Sequence, residues 1–192
     1  MKKKVLVVVA HPDDETIWMG GTLLSNRDKW NTTIISLCRR DDKDRAPKFR
    51  KACKIFKAEC FMSDLEDTRL NGISVKEVIK RIKRHADKNY DYILTHGENG
   101  EYGHKRHKDV NKAVIEMLKK GILSCKIIFF FSYIKKGKYT YPNKKSDKFI
   151  KLSNIIFAGK KWLIQNIYGF TKGSFEDYCC RDTESFKLKR NI

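Results

Sequence analysis

With 192 residues and 41% hydrophobic side chains, the chain is long enough to bury a core of its own and lacks the composition of a disordered segment. The 42 Lys and Arg against 23 Asp and Glu give a net charge of +19, which suits an anionic partner (nucleic acid, a membrane surface or an acidic substrate) or a surface solvated by lysine. The six cysteines form no Cys-x-x-Cys pair and no spacing typical of a zinc ribbon or a secreted disulfide framework, so they read as reduced thiols of a cytoplasmic protein.

Lys4–Ala10 is a continuous β-branched run, as expected of a strand buried on both faces of a parallel sheet. The run is too short for a signal peptide and leads straight into charged residues, and no stretch reaches the ~18 apolar residues of a membrane span. A helix is expected over Thr16–Lys29, a strand over Thr32–Cys38, a helix over Pro47–Lys57 and a short strand over Glu59–Met62. Ser74, with Glu77 three residues on, caps a helix running to Lys88. Tyr90–Thr95 reads as a strand, 97–103 as a glycine-containing loop, Lys105–Lys120 as a helix stopped by Gly121, and Lys126–Tyr133 as a strand. This alternation predicts an α/β, Rossmann-like, mostly parallel sheet with helices on both faces. Residues 133–192 are expected to be a basic, helical part of the same single domain, with helices around Ile155–Phe157 and Trp162–Ile167.

The first strand ends in Ala10-His11-Pro12-Asp13-Asp14-Glu15. Ligands of open α/β sheets bind at the carboxyl ends of strands, and three carboxylates crowded there repel one another unless a cation intervenes. A second cluster, Gly103-His104-Lys105-Arg106-His107, follows the fourth strand and puts two histidines on one face of a helix start. His11, Asp14 and His107 together supply two nitrogens and one carboxylate, which leaves a fourth position for water in a catalytic zinc site at the C-terminal edge of the strands. Asp13 is then free to take the water proton, and His104 to support the oxyanion or act as acid. His96, at the end of the fourth strand, is expected behind a ligand, and His85 on a solvated helix face.

Ala-His-Pro-Asp-Asp-Glu after an N-terminal strand, with Asn99-Gly100-Glu101-Tyr102-Gly103-His104 leading to His107, resembles the LmbE/PIG-L family of zinc-dependent N-deacetylases. The resemblance runs from Val5 to about Tyr133, with weaker echoes near Glu184-Ser185-Phe186. It implies His11, Asp14 and His107 as ligands of one Zn2+ per chain, Asp13 as general base and His104 as oxyanion support or acid. It further implies that Tyr102 lines the acyl site, that Arg45 contacts the sugar and that Asp67 receives sugar hydroxyls. The substrate it implies is an N-acetylglucosamine derivative, and the lysine-rich charge separately suits a small or lipid-linked anionic conjugate. Two positions depart from the pattern: Lys48 stands where a glutamate is usual, and Lys57 where a glycine ends the helix.

Two rival readings remain. A basic nucleic-acid-binding module draws on the +19 charge and on Tyr139, Tyr141, Phe149 and Trp162 among lysines, but no recognisable motif supports specific nucleic-acid binding. A nucleotide-binding Rossmann domain would place G-x-G-x-x-G where this chain has His-Pro-Asp-Asp-Glu. The lysines from Lys135 to Lys161 could draw in an anionic substrate or dock the protein peripherally on an anionic membrane.

Overall fold

The computed structural model describes residues 1–190. Lys3–Val9 (β1), Trp30–Cys38 (β2), Glu59–Leu65 (β3), Asn89–Thr95 (β4) and Ser124–Phe131 (β5) lie side by side in the order β3-β2-β1-β4-β5, all parallel. Tyr133–Lys136 (β6) and Tyr139–Pro142 (β7) form a separate antiparallel hairpin. Lys148–Lys151 (β8) and Thr183–Arg190 (β9) complete a seven-stranded sheet: β9 runs antiparallel to β5, and β8 antiparallel to β9. The expected Rossmann-like α/β architecture is therefore present.

Helices Asp14–Asn26 (α1), Arg45–Ile55 (α2), Val75–Lys83 (α3), Gly100–Gly103 (α4), Lys105–Lys119 (α5), Asn154–Trp162 (α6) and Phe175–Cys179 (α7) flank the sheet, with a π-helical turn at Leu163–Ile167. The pleat of β1 sorts its apolar run into two cores. Val5, Val7 and Val9 pack with Trp18, Phe49 and Phe56, while Leu6, Val8 and Ala10 pack with Val78, Ile82 and Val114. An unbroken β-branched run is what a strand covered on both faces requires. Strand order reverses between β1 and β4, which opens a crevice at their carboxyl ends, and both histidine motifs follow those two strands.

Local signals behave as the sequence predicts at Ser74, whose hydroxyl accepts the Glu77 amide at 3.3 Å and caps α3. The Lys57 departure has a structural reading. Lys57 follows the end of α2 with φ 54°, while its amide bonds to Lys54 O and that of Ala58 to Cys53 O. This is a Schellman cap, where glycine carries no Cβ penalty, so lysine strains the turn. Its ammonium reaches Asp28 at 2.6 Å. Lys48, the other departure, pairs with Asp44 at 2.7 Å on its own helix.

The expected helical character of 133–192 is corrected in part. Helices do form at Asn154–Trp162 and 163–167, but β6, β7, β8 and β9 also lie in this stretch, and residues 191–192 fall outside the described ones. The lysine-interrupted four-residue runs at β6 and β8 carry too little alternation to declare themselves, and pairing partners supply what the pattern lacks. The 97–103 loop likewise contains the single turn α4. Part of the Lys135–Lys161 stretch faces inward. Lys160 is fully buried against Glu184 at 2.7 Å, and Lys161 pairs with Asp177 at 2.5 Å. Glu184 also accepts the Gly21 and Thr22 amides, each at 2.8 Å, and the Thr22 hydroxyl at 2.6 Å, so α1, α6 and β9 meet at one saturated carboxylate. At Gly21 an added Cβ would come within 2.3 Å of the Leu152 side chain, which would have to shift to admit it.

Candidate active site

The turn after β1 is wound tightly enough to strain it. Asp13 sits at φ 131°, outside the region that L side chains prefer, with its amide held by Glu15 Oε2 at 3.1 Å. Glu15 is itself buried, accepts hydroxyl protons from Thr16 and Tyr168 at 2.6 Å each, and has its pKa pushed up to about 7 by burial. The third carboxylate of the motif thus braces the turn, while the first two face the crevice.

Asp14 opens α1 and is tied down on both oxygens. Trp18, one helical turn on, donates its indole N–H to Oδ1 at 2.8 Å, and the His11 amide donates to Oδ2 at 2.8 Å. That Oδ2 lies 3.1 Å from His11 Nδ1 and 3.4 Å from His107 Nε2, and the two ring nitrogens are 3.2 Å apart. Burial disfavours the charged Asp14, but His107 and His96 beside it hold its carboxyl well below the usual range.

The far side of each imidazole is engaged. His107 Nδ1 meets Glu101 Oε2 at 2.5 Å, and His11 Nε2 meets Asp67 Oδ1 at 3.0 Å. Burial opposes ionisation of Glu101, yet the flanking His96 and His107 lower its pKa to about 2, so it is an ionised acceptor. Burial works against charging His11 and His107, yet the neighbouring carboxylates raise both pKa values, so without a metal these rings favour the protonated form more than a free imidazole does. In the neutral tautomer that keeps the outer N–H on each carboxylate, His11 Nδ1 and His107 Nε2 would turn lone pairs toward each other and toward Asp14 Oδ2. In that tautomer the three acceptors would repel one another, and a cation among them would relieve the repulsion. Tetrahedral zinc bonds of ~2.0–2.2 Å set ligands about 3.3 Å apart. The observed triangle of 3.1, 3.2 and 3.4 Å therefore fits such an ion. His11, His104 and His107 also form a potential metal-binding group, as do Asp14, His96 and His107, with the ligand atoms of each group within 4.8 Å of one another.

His104 caps α5 through its ring: Nδ1 accepts the Arg106 amide at 3.3 Å. Burial, together with nearby His107 and His11, lowers its pKa to about 4, so the imidazole is neutral and Nε2 carries the proton. Asp13 and His104 both line a cleft of about 130 Å³ beside that triangle, together with Tyr102 and Trp18. Burial and then the Asp14 charge push the Asp13 carboxyl well above its ordinary range.

The residues tied to the sugar by resemblance stand differently. Arg45 turns onto Asp13, Nη1 to Oδ2 at 2.6 Å, and its guanidinium lies 4.4 Å over the Phe170 ring. Asp67 is committed to His11 and to Arg39 Nη2 at 3.2 Å. Tyr102 lies in the cleft wall, its ring 5.3 Å from that of His107. His96 is buried at the end of β4: its Nε2 accepts the Ala10 amide at 2.9 Å and its Nδ1 meets Glu101 at 2.8 Å. His85, expected on a solvated face, stacks on Phe61 at 4.3 Å.

Sequence reasoning missed Glu101 and Trp18. Trp18 had a readable signal, since it stands four residues after Asp14 on one helix face. Glu101 had none of that kind. It adopts φ 57° in α4 and reaches back to the Gly97 amide at 2.7 Å, a geometry with no simple periodicity.

Comparison with known proteins fits this geometry. The model of the family PIG-L, described as GlcNAc-PI de-N-acetylase, matches residues 6–118, more than half of the chain. The chain belongs to the PIG-L family. An uncharacterized protein of Acanthamoeba polyphaga mimivirus is 28% identical over 178 residues, covering 78% of this chain and 75% of that protein. Among solved structures, the N,N'-diacetylchitobiose deacetylase of Pyrococcus horikoshii superposes with TM-score 0.71 at 15% identity, over 98% of this chain and 84% of its own. A 4-carboxy-2-hydroxymuconate hydratase of Pseudomonas putida gives 0.68 at 14% identity, over 100% of this chain and 97% of its own. A conserved Thermus thermophilus protein gives 0.67 at 18%, over 96% and 94%. At these identities the structural likeness speaks to fold alone, and one fold here carries both a deacetylase and a hydratase.

Proposed function

We propose that this PIG-L family member is a metal-dependent N-deacetylase that hydrolyses the acetamide of an N-acetylglucosamine-type conjugate. The observation that carries the reading is the triangle of potential ligand atoms from His11, Asp14 and His107, each oriented from behind, beside a cleft that also holds Asp13 and His104. These three residues would hold one divalent ion, zinc by the mix of nitrogen and oxygen donors. When bound, the ion lowers the pKa of water to ~7 and polarises a carbonyl.

The protein's own groups do the rest. Asp13, whose proton affinity is raised, takes the proton of the attacking water and returns one to the departing amine. Arg45 fixes the Asp13 carboxylate in place. The Nε2–H of neutral His104 donates to the carbonyl oxygen as negative charge develops there. Tyr102 and Trp18 wall the space for the acetyl methyl. The free cysteines favour a cytoplasmic setting for this one domain, and among the described residues no helix is long and apolar enough to cross a membrane. The +19 charge favours conjugates that are anionic or lipid-linked.

Metal analysis of the purified protein, run with an amine-release assay over N-acetylglucosamine conjugates, tests the reading. About one zinc per chain and chelator-sensitive amine release are expected. A metal-free protein that neither binds zinc nor gains activity with it would overturn the proposal.

A further inference from the structure

Arg106 lies inside the His104–His107 motif, yet it is neither a ligand candidate nor part of the cleft. It is an arginine with no solvent exposure, and its whole fork is used. Nη2 reaches Glu66 Oε2 at 2.6 Å, Nη1 reaches Asp109 Oδ2 at 2.8 Å, and Nε donates to the Glu66 carbonyl. Glu66 in turn collects the amides of Arg69 at 2.5 Å and Asn71 at 3.3 Å, while neighbouring Lys105 donates to the Leu70 carbonyl at 2.6 Å. The first turn of α5 thus fastens the segment between β3 and α3, which has no secondary structure of its own. The next residue of that segment, Asp67, holds His11 Nε2.

We propose that Arg106 is a positioning residue for the metal centre: by gripping Glu66 it holds Asp67 against His11, so one helix start sets the orientation of imidazoles from both motifs. His107 is the residue after Arg106, and His11 is reached through Glu66 and Asp67. A buried guanidinium needs full compensation, and here that compensation comes from the backbone and side chain of the segment it must hold. Lysine, a point charge without the fork, cannot make the same three contacts.

The inference rests on the proposed metal site for one arm of its test only. In the metal-free protein, the His11 Nε2–H held by Asp67 should give a slowly exchanging ring N–H resonance in 15N-resolved NMR. Arg106→Met should abolish it, as should Asp67→Ala. Persistence of that resonance in a folded Arg106→Met protein would overturn the proposal. If Arg106→Met does not fold, Glu66→Ala cuts the side-chain half of the tether from its solvent-accessible end and should broaden the same signal. In the second arm, zinc affinity measured by chelator competition should fall roughly 10- to 100-fold in Arg106→Met, the range for groups behind a ligand. The same substitution should cost almost nothing further in an Asp67→Ala background. Independent, multiplying losses would mean that Arg106 acts by general structure and not through Asp67. Failure of wild-type protein to bind zinc would count against the metal reading and leave the NMR arm to decide this one.

Discussion

Two of the places where the molecule buries charge are built on opposite rules. At the seam of α1, α6 and β9, Glu184 faces Lys160, two amides and a hydroxyl, so every acceptor position has a donor. At the crevice between β1 and β4, Asp14 Oδ2 faces one ring nitrogen each of His11 and His107, while the other nitrogen of each ring meets a carboxylate. The same helix serves both, with Asp14 at its start and Thr22 near its end, and it departs from helical geometry between them at Met19 (φ −148°). A buried carboxylate alone does not mark function. A closed set of partners marks a fastening, and ring nitrogens converging on a carboxylate beside a cleft mark a candidate binding site.

The largest test of this contrast is Glu184→Ala. It strands the Lys160 ammonium in the interior and should lower unfolding free energy in urea by about 3–5 kcal/mol. Adding Lys160→Met should return part of that loss. The folded fraction of either variant should still bind metal, whereas Asp14→Ala and His107→Ala should fold and carry almost none. Metal retained in both crevice variants would erase the distinction.

Within the crevice, ligands and proton carriers should separate. Asp13→Ala and His104→Ala are expected to keep the metal and lose roughly 10²-fold or more in turnover. Metal content and amine release measured on the same preparations check this, and near-normal turnover in either variant removes that residue from the mechanism.

Chelation offers a third comparison. An ion that binds only the folded state stabilises it by about 2.7 kcal/mol at 100 times its dissociation constant. Thermal or urea unfolding with and without zinc should show a shift of that order, and nearly the same shift in Lys160→Met, if the two charged regions are independent. A shift that vanishes in the seam variant would mean that α1 couples them.

The smallest effect concerns neither region and calibrates both. Lys57→Gly relieves a left-handed backbone at the end of α2 and should raise stability by about 1 kcal/mol without altering metal content. Denaturant midpoints read the difference, and no gain would mean that the ion pair with Asp28 outweighs the strain.

The sequence by itself determined the parallel α/β body, because each strand of β1–β5 carries its own apolar run and each following helix its own period. It also brought out His11, Asp13, Asp14, His104 and His107 as chemistry-bearing residues, because both clusters are local and follow strand ends. Tertiary structure decided what stands behind them. Asp67 turns to His11 across 56 residues and Arg45 to Asp13 across 32, so their expected roles toward a sugar could not be tested by spacing. Glu184 meets Thr22 across 162 residues, and β9 joins β5 antiparallel, neither of which any local pattern encodes. Periodicity records which face of an element is buried. Which donor finds which acceptor depends on where the chain brings distant segments together, and that is settled only when the sheet closes over its crevice.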